Sequence, residues 1–127
     1  PRMNLIDARA EATGEGIALV AGGTRVHLPA MAGISAGDHL TYGIRPEHVM
    51  LADHAEEADI SVTIALSEQL GGETYLYCNA DGIPQLTVHQ LGQLPTEEGQ
   101  ALHLRFDRSR MHLFGADGQV IANGVVA

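Results

Sequence analysis

The chain has 127 residues, 45% of them apolar, and sixteen acidic side chains against seven basic ones give it a net charge of −9. That length suits one domain with its own core, and the charge works against holding a phosphate backbone or an anionic lipid surface. All seven bases are arginine, so no P-loop and no Schiff-base chemistry is available, and the single cysteine, Cys78, excludes an internal disulfide.

The opening stretch PRMNLIDARA has no basic region leading into an apolar run and is not expected to be a signal peptide. No apolar run approaches the roughly 18 residues of a membrane span. Because the chain starts at Pro1 without a methionine, the expectation is that residues 1–127 form one domain cut from a longer protein. EGIALVAGGTRVHL predicts a hairpin about Gly22-Gly23, with Ile17 and Leu19 facing Val26 and Leu28. In TYGIRPEHVML, Leu40, Tyr42 and Ile44 alternate with smaller or polar neighbours as in a half-buried strand. The alternation stops at Arg45-Pro46: the residue before proline is held extended, and Pro46 fits the first position of a helical turn with Glu47 near its positive end. The stretch reads as a strand end, a corner and one short turn, with Arg45 expected to reach a carboxylate such as Glu47 or Glu68.

AEEAD, residues 55–59, reads as a solvated connection. ADISVTIALSEQL gives the cleanest strand, with Ile60, Val62, Ile64 and Leu66 on one face. The strand is expected to end at Leu66, and Gly71-Gly72 permits a turn before the chain restarts at Glu73. Glu68, Gln69 and the two glycines serve either as a hairpin connection or as part of a surface that meets a partner. ETYLYCNADGIPQLTVHQL is a hairpin about Asp81-Gly82; Pro84 marks an edge or a bulge, and Cys78 reads as a small core residue. QALHLRF places Leu102, Leu104 and Phe106 on one face, and MHLFGADGQVIANG closes with a hairpin about Asp117-Gly118 in which Phe114 faces outward. No segment sustains a helical apolar pattern for ten residues. Many short strands with almost no helix predict an all-β fold, a small β-barrel.

Candidate chemistry is thin. None of the seven histidines forms HxH, HxxxH or HExxH, and no second cysteine completes a thiolate site. Glu56-Glu57 and Glu97-Glu98 sit in polar loops and read as solubilising charge, not as an acid and a base in a pocket. No catalytic, cofactor-binding or metal-binding residue is expected.

GIRPEHV at 43–49, SEQLGGETYLY at 67–77 and FDRSRMHLFGADGQVI at 106–121, preceded by PRMNLI, together resemble the C-terminal regulatory domain, of the TOBE or oligonucleotide-binding (OB) type, of the ATP-binding subunits of bacterial carbohydrate ABC importers, the maltose and glycerol-3-phosphate type. The resemblance covers the whole chain. It implies an OB-fold-like five-stranded barrel with additional strands, and a non-catalytic regulatory and dimerisation role. It also implies that ATP and Mg belong to an ATPase domain absent from this chain. The partners it implies are a second copy, permease subunits reached through that ATPase domain and, in some relatives, a regulatory protein; nucleic acid is not among them. The location it implies is cytoplasmic, on the inner face of the bacterial membrane. SEQLGGE lacks the residue order of the LSGGQ signature, and no cluster of Ser, Arg and Asn matches the oxyanion site of the molybdate-type relatives. Sensing of an oxyanion or sugar is the alternative function. The residues expected to build an interface or regulatory surface are Arg45, Glu47, Glu68, Gly71, Gly72 and Phe114, with the Gly71-Gly72 turn and Phe114 on one face.

Overall fold

Strand β1 (Asn4–Thr13) buries Asn4, Ile6, Ala8 and Ala10 and turns Leu5, Asp7, Arg9 and Glu11 outward, the two-residue period of a sheet with one wet face. The computed structural model describes residues 2–124. β2 (Gly16–Ala21) and β3 (Thr24–Leu28) form the expected hairpin, with Ile17 opposite Leu28 and Leu19 opposite Val26. β4 (His39–Ile44) pairs with the other side of β1. A 3-10 turn, Pro46–His48, then leads into β5 (Val49–Ala52). There follow β6 (Ile60–Leu70), β7 (Glu73–Ala80), β8 (Ile83–Leu91) and β9 (Ala101–Phe106). A second 3-10 turn, Arg108–Arg110, returns the chain to β10 (His112–Gly115) and β11 (Val120–Asn123).

Two antiparallel sheets result. One has the order β11-β10-β4-β1-β2-β3, the other β5-β9-β6-β7-β8. The second curls until its edge strands meet: β8 lies against β5 and the Pro46–His48 turn, and the Gln90 amide donates to the Val49 carbonyl at 3.0 Å. The fold is all β and OB-fold-like, as expected, with the curled five-stranded sheet as a small barrel and the six-stranded sheet packed on it. Asn4 joins the layers. Its amide donates to the Thr87 carbonyl and its oxygen accepts from the Thr87 N–H, both at 2.8 Å, so one side chain satisfies the outer edge of β8 as a neighbouring strand would.

Between the sheets lies one core that includes Leu19, Tyr42, Ile44, Ile64, Leu76, Leu86, Leu104, Met111 and Leu113, with the Tyr42 and Phe106 rings 5.4 Å apart. Truncating one of these leucines to alanine costs about 2–5 kcal/mol. The hairpin tips of the two sheets also touch: Thr24 donates to the Asp81 carbonyl at 2.6 Å, and Gly82, at φ 83°, sits so close to Ala21 that a Cβ there would collide with its carbonyl.

Two expectations need correction. Leu66 does not join Ile60, Val62 and Ile64 in the core: the β6–β7 register shifts between Ile64 and Leu66, and this bulge turns Leu66 out to 48% exposure. For the same reason β6 does not stop at Leu66 but runs on, facing the other way, to Leu70. Pro84 lies on an edge strand opposite a second register shift, between Cys78 and Ala80.

Candidate interaction surface

The chain crosses from the six-stranded sheet to the barrel at residues 45–48 and returns at 107–111. The two crossings are tied together, with the Asp107 N–H donating to the His48 carbonyl at 3.1 Å. Arg45 and Glu47 stand at the outbound crossing and are exposed. The expected ion pair is not there. Among the described residues Arg45 makes no salt bridge with Glu47 or Glu68: it stands exposed at the N-cap of the turn that Pro46 opens, where an ion pair gains little over hydration.

At the return crossing, Arg108 donates to the His27 carbonyl at 3.0 Å, on the open edge of β3, and to Asp59 Oδ1 at 3.2 Å. The other oxygen of Asp59 accepts the Phe106 N–H at 2.7 Å. Asp59 has only 10% of its side chain exposed, so this pair is partly shielded from water, unlike most surface pairs. Beside it lies the Tyr42 hydroxyl, buried and without a hydrogen-bond partner among the described residues. Burial and then the Asp59 charge push its pKa far above the usual phenol value. Asp107 accepts from both the N–H and the hydroxyl of Ser109, which hold its carboxyl below the ordinary 3.8. Nothing in the pattern of FDRSR alone distinguished Arg108 from Arg110; the distinction needs the sheet order.

Glu68, Gly71 and Gly72 belong to a second region. Gly71-Gly72 is the two-residue connection of the β6–β7 hairpin, with Leu70 opposite Glu73. Past the bulge, the outward face of the barrel carries Leu66, Glu68 and Leu70 from β6, Glu73, Tyr75 and Tyr77 from β7, and Thr87, His89 and Leu91 from β8. Three of these are large exposed leucines: Leu66 at 48%, Leu70 at 53% and Leu91 at 84%. The polar groups among them pair with one another. Tyr77 donates to Glu68 at 2.6 Å, a bond that raises the tyrosine pKa. His89 lies 2.9 Å from Glu73, and its ring is 4.6 Å from that of Tyr75. A patch of leucine and tyrosine with its carboxylates already satisfied has the composition of a protein-binding surface.

Phe114 is elsewhere. It lies half-buried on the six-stranded sheet, stacked on His112 at 6.3 Å, and fills space that Gly43 leaves open together with Met3 and Leu5. The structure therefore puts Phe114 and the Gly71-Gly72 turn on different sheets.

Small-molecule chemistry has little to work with. A groove of about 540 Å³ runs over Asp7, Arg9, His39 and Thr41, but these side chains spend their polar groups on each other, with Arg9 3.2 Å from His39 and Thr41 donating to Asp7 at 3.2 Å. Cys78 is buried, and burial pushes its thiol from 9.0 up to about 11, away from the thiolate a nucleophile needs. Among the described residues no group of three or more His, Cys, Asp or Glu side chains is gathered to hold a metal ion, and no helix is long and apolar enough to cross a membrane.

Comparison with known families gives two matches that divide the chain: a MalK OB fold domain over residues 1–49 and a TOBE domain over residues 42–114. The sn-glycerol-3-phosphate import ATP-binding protein of Chromohalobacter salexigens is 36% identical over 121 residues, 93% of this chain and 31% of that protein. Its counterpart in Salmonella typhi is 35% identical over 94% of the chain and 33% of its own length. The maltose/maltodextrin import ATP-binding protein of Vibrio cholerae is 34% identical over 68% of the chain and 23% of its length. The chain thus spans about a third or less of the curated relatives it matches.

Proposed function

The chain belongs to the TOBE domain family, and from that premise we propose that it is the regulatory and self-association module of the ATP-binding subunit of an ABC importer for a sugar, polyol or glycerol phosphate. The observation that carries this reading is that the likeness to import ATP-binding proteins runs through nearly the whole chain, across both sheets. In this reading ATP and Mg are handled by an ATPase portion outside these 127 residues, since a chain without lysine cannot supply a P-loop. That portion meets the permease subunits at the inner face of the bacterial membrane. The present domain holds a second copy, or a regulatory protein, through the leucine and tyrosine face of the barrel. A net charge of −9 argues against nucleic acid as a partner.

The coding sequence upstream of Pro1 tests the assignment. It is expected to carry a Walker A lysine and an LSGGQ signature in frame; an independent start at Pro1 overturns it. The rival reading, a sensor of an oxyanion or sugar, draws on the groove beside Arg9 and His39. Sugars, sugar phosphates, molybdate and sulfate are expected to leave the melting temperature unchanged. A ligand at 100 times its dissociation constant would add about 2.7 kcal/mol of stability, and a saturable shift of that size would favour the sensor.

A further inference from the structure

We propose that Asp81 is a site of spontaneous isoaspartate formation in the folded protein, and that the fold selects it over the other pairs of the same kind. The sequence holds three places where Asp or Asn precedes Gly: Asp81-Gly82, Asp117-Gly118 and Asn123-Gly124. At each, the glycine nitrogen can attack the side-chain carbonyl carbon one residue back, because glycine carries no Cβ to hinder the approach.

In the step at Asp81, the Gly82 nitrogen bonds to Asp81 Cγ and gives up its proton, and one carboxyl oxygen leaves as water. The cyclic imide that forms then takes up water again. Cleavage of its bond at Cγ returns aspartate; cleavage at the old α-carbonyl leaves the main chain running through Cβ and Cγ, with no change of mass. At Asn123 ammonia leaves instead, from an amide that is more electrophilic than a carboxylate, so in an unfolded chain Asn123-Gly124 reacts first.

The fold reverses that order. The Gly124 N–H donates to the Met111 carbonyl at 2.7 Å, and the Asn123 amide oxygen lies 2.7 Å from His112 Nδ1. The Gly118 N–H donates to the Gly115 carbonyl at 2.9 Å, and Asp117 Oδ1 accepts the Gln119 N–H at 3.0 Å. In both pairs the attacking and the attacked groups are engaged elsewhere and must give up those bonds before they meet. Asp81-Gly82 is exposed, and among the described residues neither the Gly82 N–H nor the Asp81 carboxylate has a hydrogen-bond or ion-pair partner.

The position makes the change felt. Asp81-Gly82 is the tip of the β7–β8 hairpin and packs on the Gly22-Gly23 tip of the other sheet. The Asp81 carboxylate lies over both glycines, its main-chain carbonyl accepts the Thr24 hydroxyl at 2.6 Å, and Gly82 rests against the Ala21 carbonyl. In the isomer that accepting carbonyl becomes a free carboxylate, and the turn is longer by one main-chain carbon. The Thr24 bond and the close approach of Gly82 cannot then both be kept, so the isomerised domain loses a tie between barrel and six-stranded sheet and melts at a lower temperature.

The test is prolonged incubation of the chain at neutral pH and physiological temperature, in buffer and in parallel in concentrated urea. Digestion and mass spectrometry with electron-transfer fragmentation then separate the two linkages at each site. In buffer, isoaspartate at Asp81 is expected to accumulate several-fold faster than conversion at Asp117 or Asn123, whereas in urea Asn123 converts fastest. Asp81→Glu would have to close a larger ring; it is expected to show no conversion at this turn and to keep its melting temperature, while that of the incubated parent falls. Faster conversion at Asn123 or Asp117 in buffer, or fastest conversion at Asp81 in urea as well, means that the fold does not select the site and overturns the proposal. Isoaspartate at Asp81 with no fall in melting temperature overturns its effect on the tip contact.

Discussion

Two arginines stand at the two places where the chain passes between sheets, and they behave differently. Arg45, in the conspicuous GIRPEHV corner, is exposed and makes no ion pair among the described residues, whereas Arg108, in the less conspicuous FDRSR segment, joins the edge of β3 to the start of β6 and the end of β9. What separates them is backbone demand. The outbound crossing runs through a proline that has no N–H to satisfy, while the return crossing leaves the Phe106 N–H needing a partner in a partly buried setting, and the same side-chain pair reaches the more exposed His27 carbonyl. A charged residue in a motif therefore holds a corner only where the local backbone has groups left unpaired.

Asp59→Ala should open the widest gap between the crossings. It removes the partner of a partly buried guanidinium and strands the Phe106 N–H, a loss of about 2–4 kcal/mol in urea unfolding. Combining it with Arg108→Ala should cost less than the sum of the single changes, since both break one network. Additive losses, or an Asp59→Ala loss below about 0.5 kcal/mol, would mean that the return crossing is held no better than the outbound one.

A smaller effect is expected from Ser109→Ala. The two Ser109 bonds depress the Asp107 pKa, so their stabilisation is present above the unfolded value of 3.8 and is lost as pH falls through the lower folded value. Without Ser109 that increment is missing at neutral pH, and acid unfolding monitored by circular dichroism should begin at a slightly higher pH. An unchanged acid transition would show that Asp107 contributes nothing at the corner. The smallest effect belongs to Arg45→Ala, which should stay within about ±0.5 kcal/mol of the parent; a larger loss would erase the contrast.

The hairpins about Gly22-Gly23, Asp81-Gly82 and Asp117-Gly118 were legible because alternating apolar residues flank turn residues. β1 was not, although it is central to its sheet, since its inward positions include Ala8 and Ala10, which give little apolar contrast and no preference for strand. β5 was hidden by its length of four residues directly after a proline turn. The candidate face of the barrel was half legible. Glu68 and the Gly71-Gly72 turn were singled out, but Tyr75, Tyr77, His89 and Leu91 come beside them only through register, and the bulge that exposes Leu66 breaks the very alternation used to find the strand. Phe114 was expected on one face with the Gly71-Gly72 turn, but outward alternation tells which side of its own sheet a residue takes, not which other strands share that side, and the two lie on different sheets.

The order of the sheets also sets a timetable. The barrel is drawn from the unbroken stretch between Val49 and Phe106, whereas the six-stranded sheet is interrupted: β4 must wait for β10, which pairs Gly43 with His112 after the whole barrel has been made. Contacts that distant in sequence are slow to close. On a ribosome adding roughly 5–20 residues per second, β4 spends seconds with one hydrogen-bonding edge bare after β1 has covered the other. During that interval the nascent chain presents a strand edge to any other unfinished copy, so a pause in translation before His112 is the moment when this domain is most prone to pair with the wrong strand.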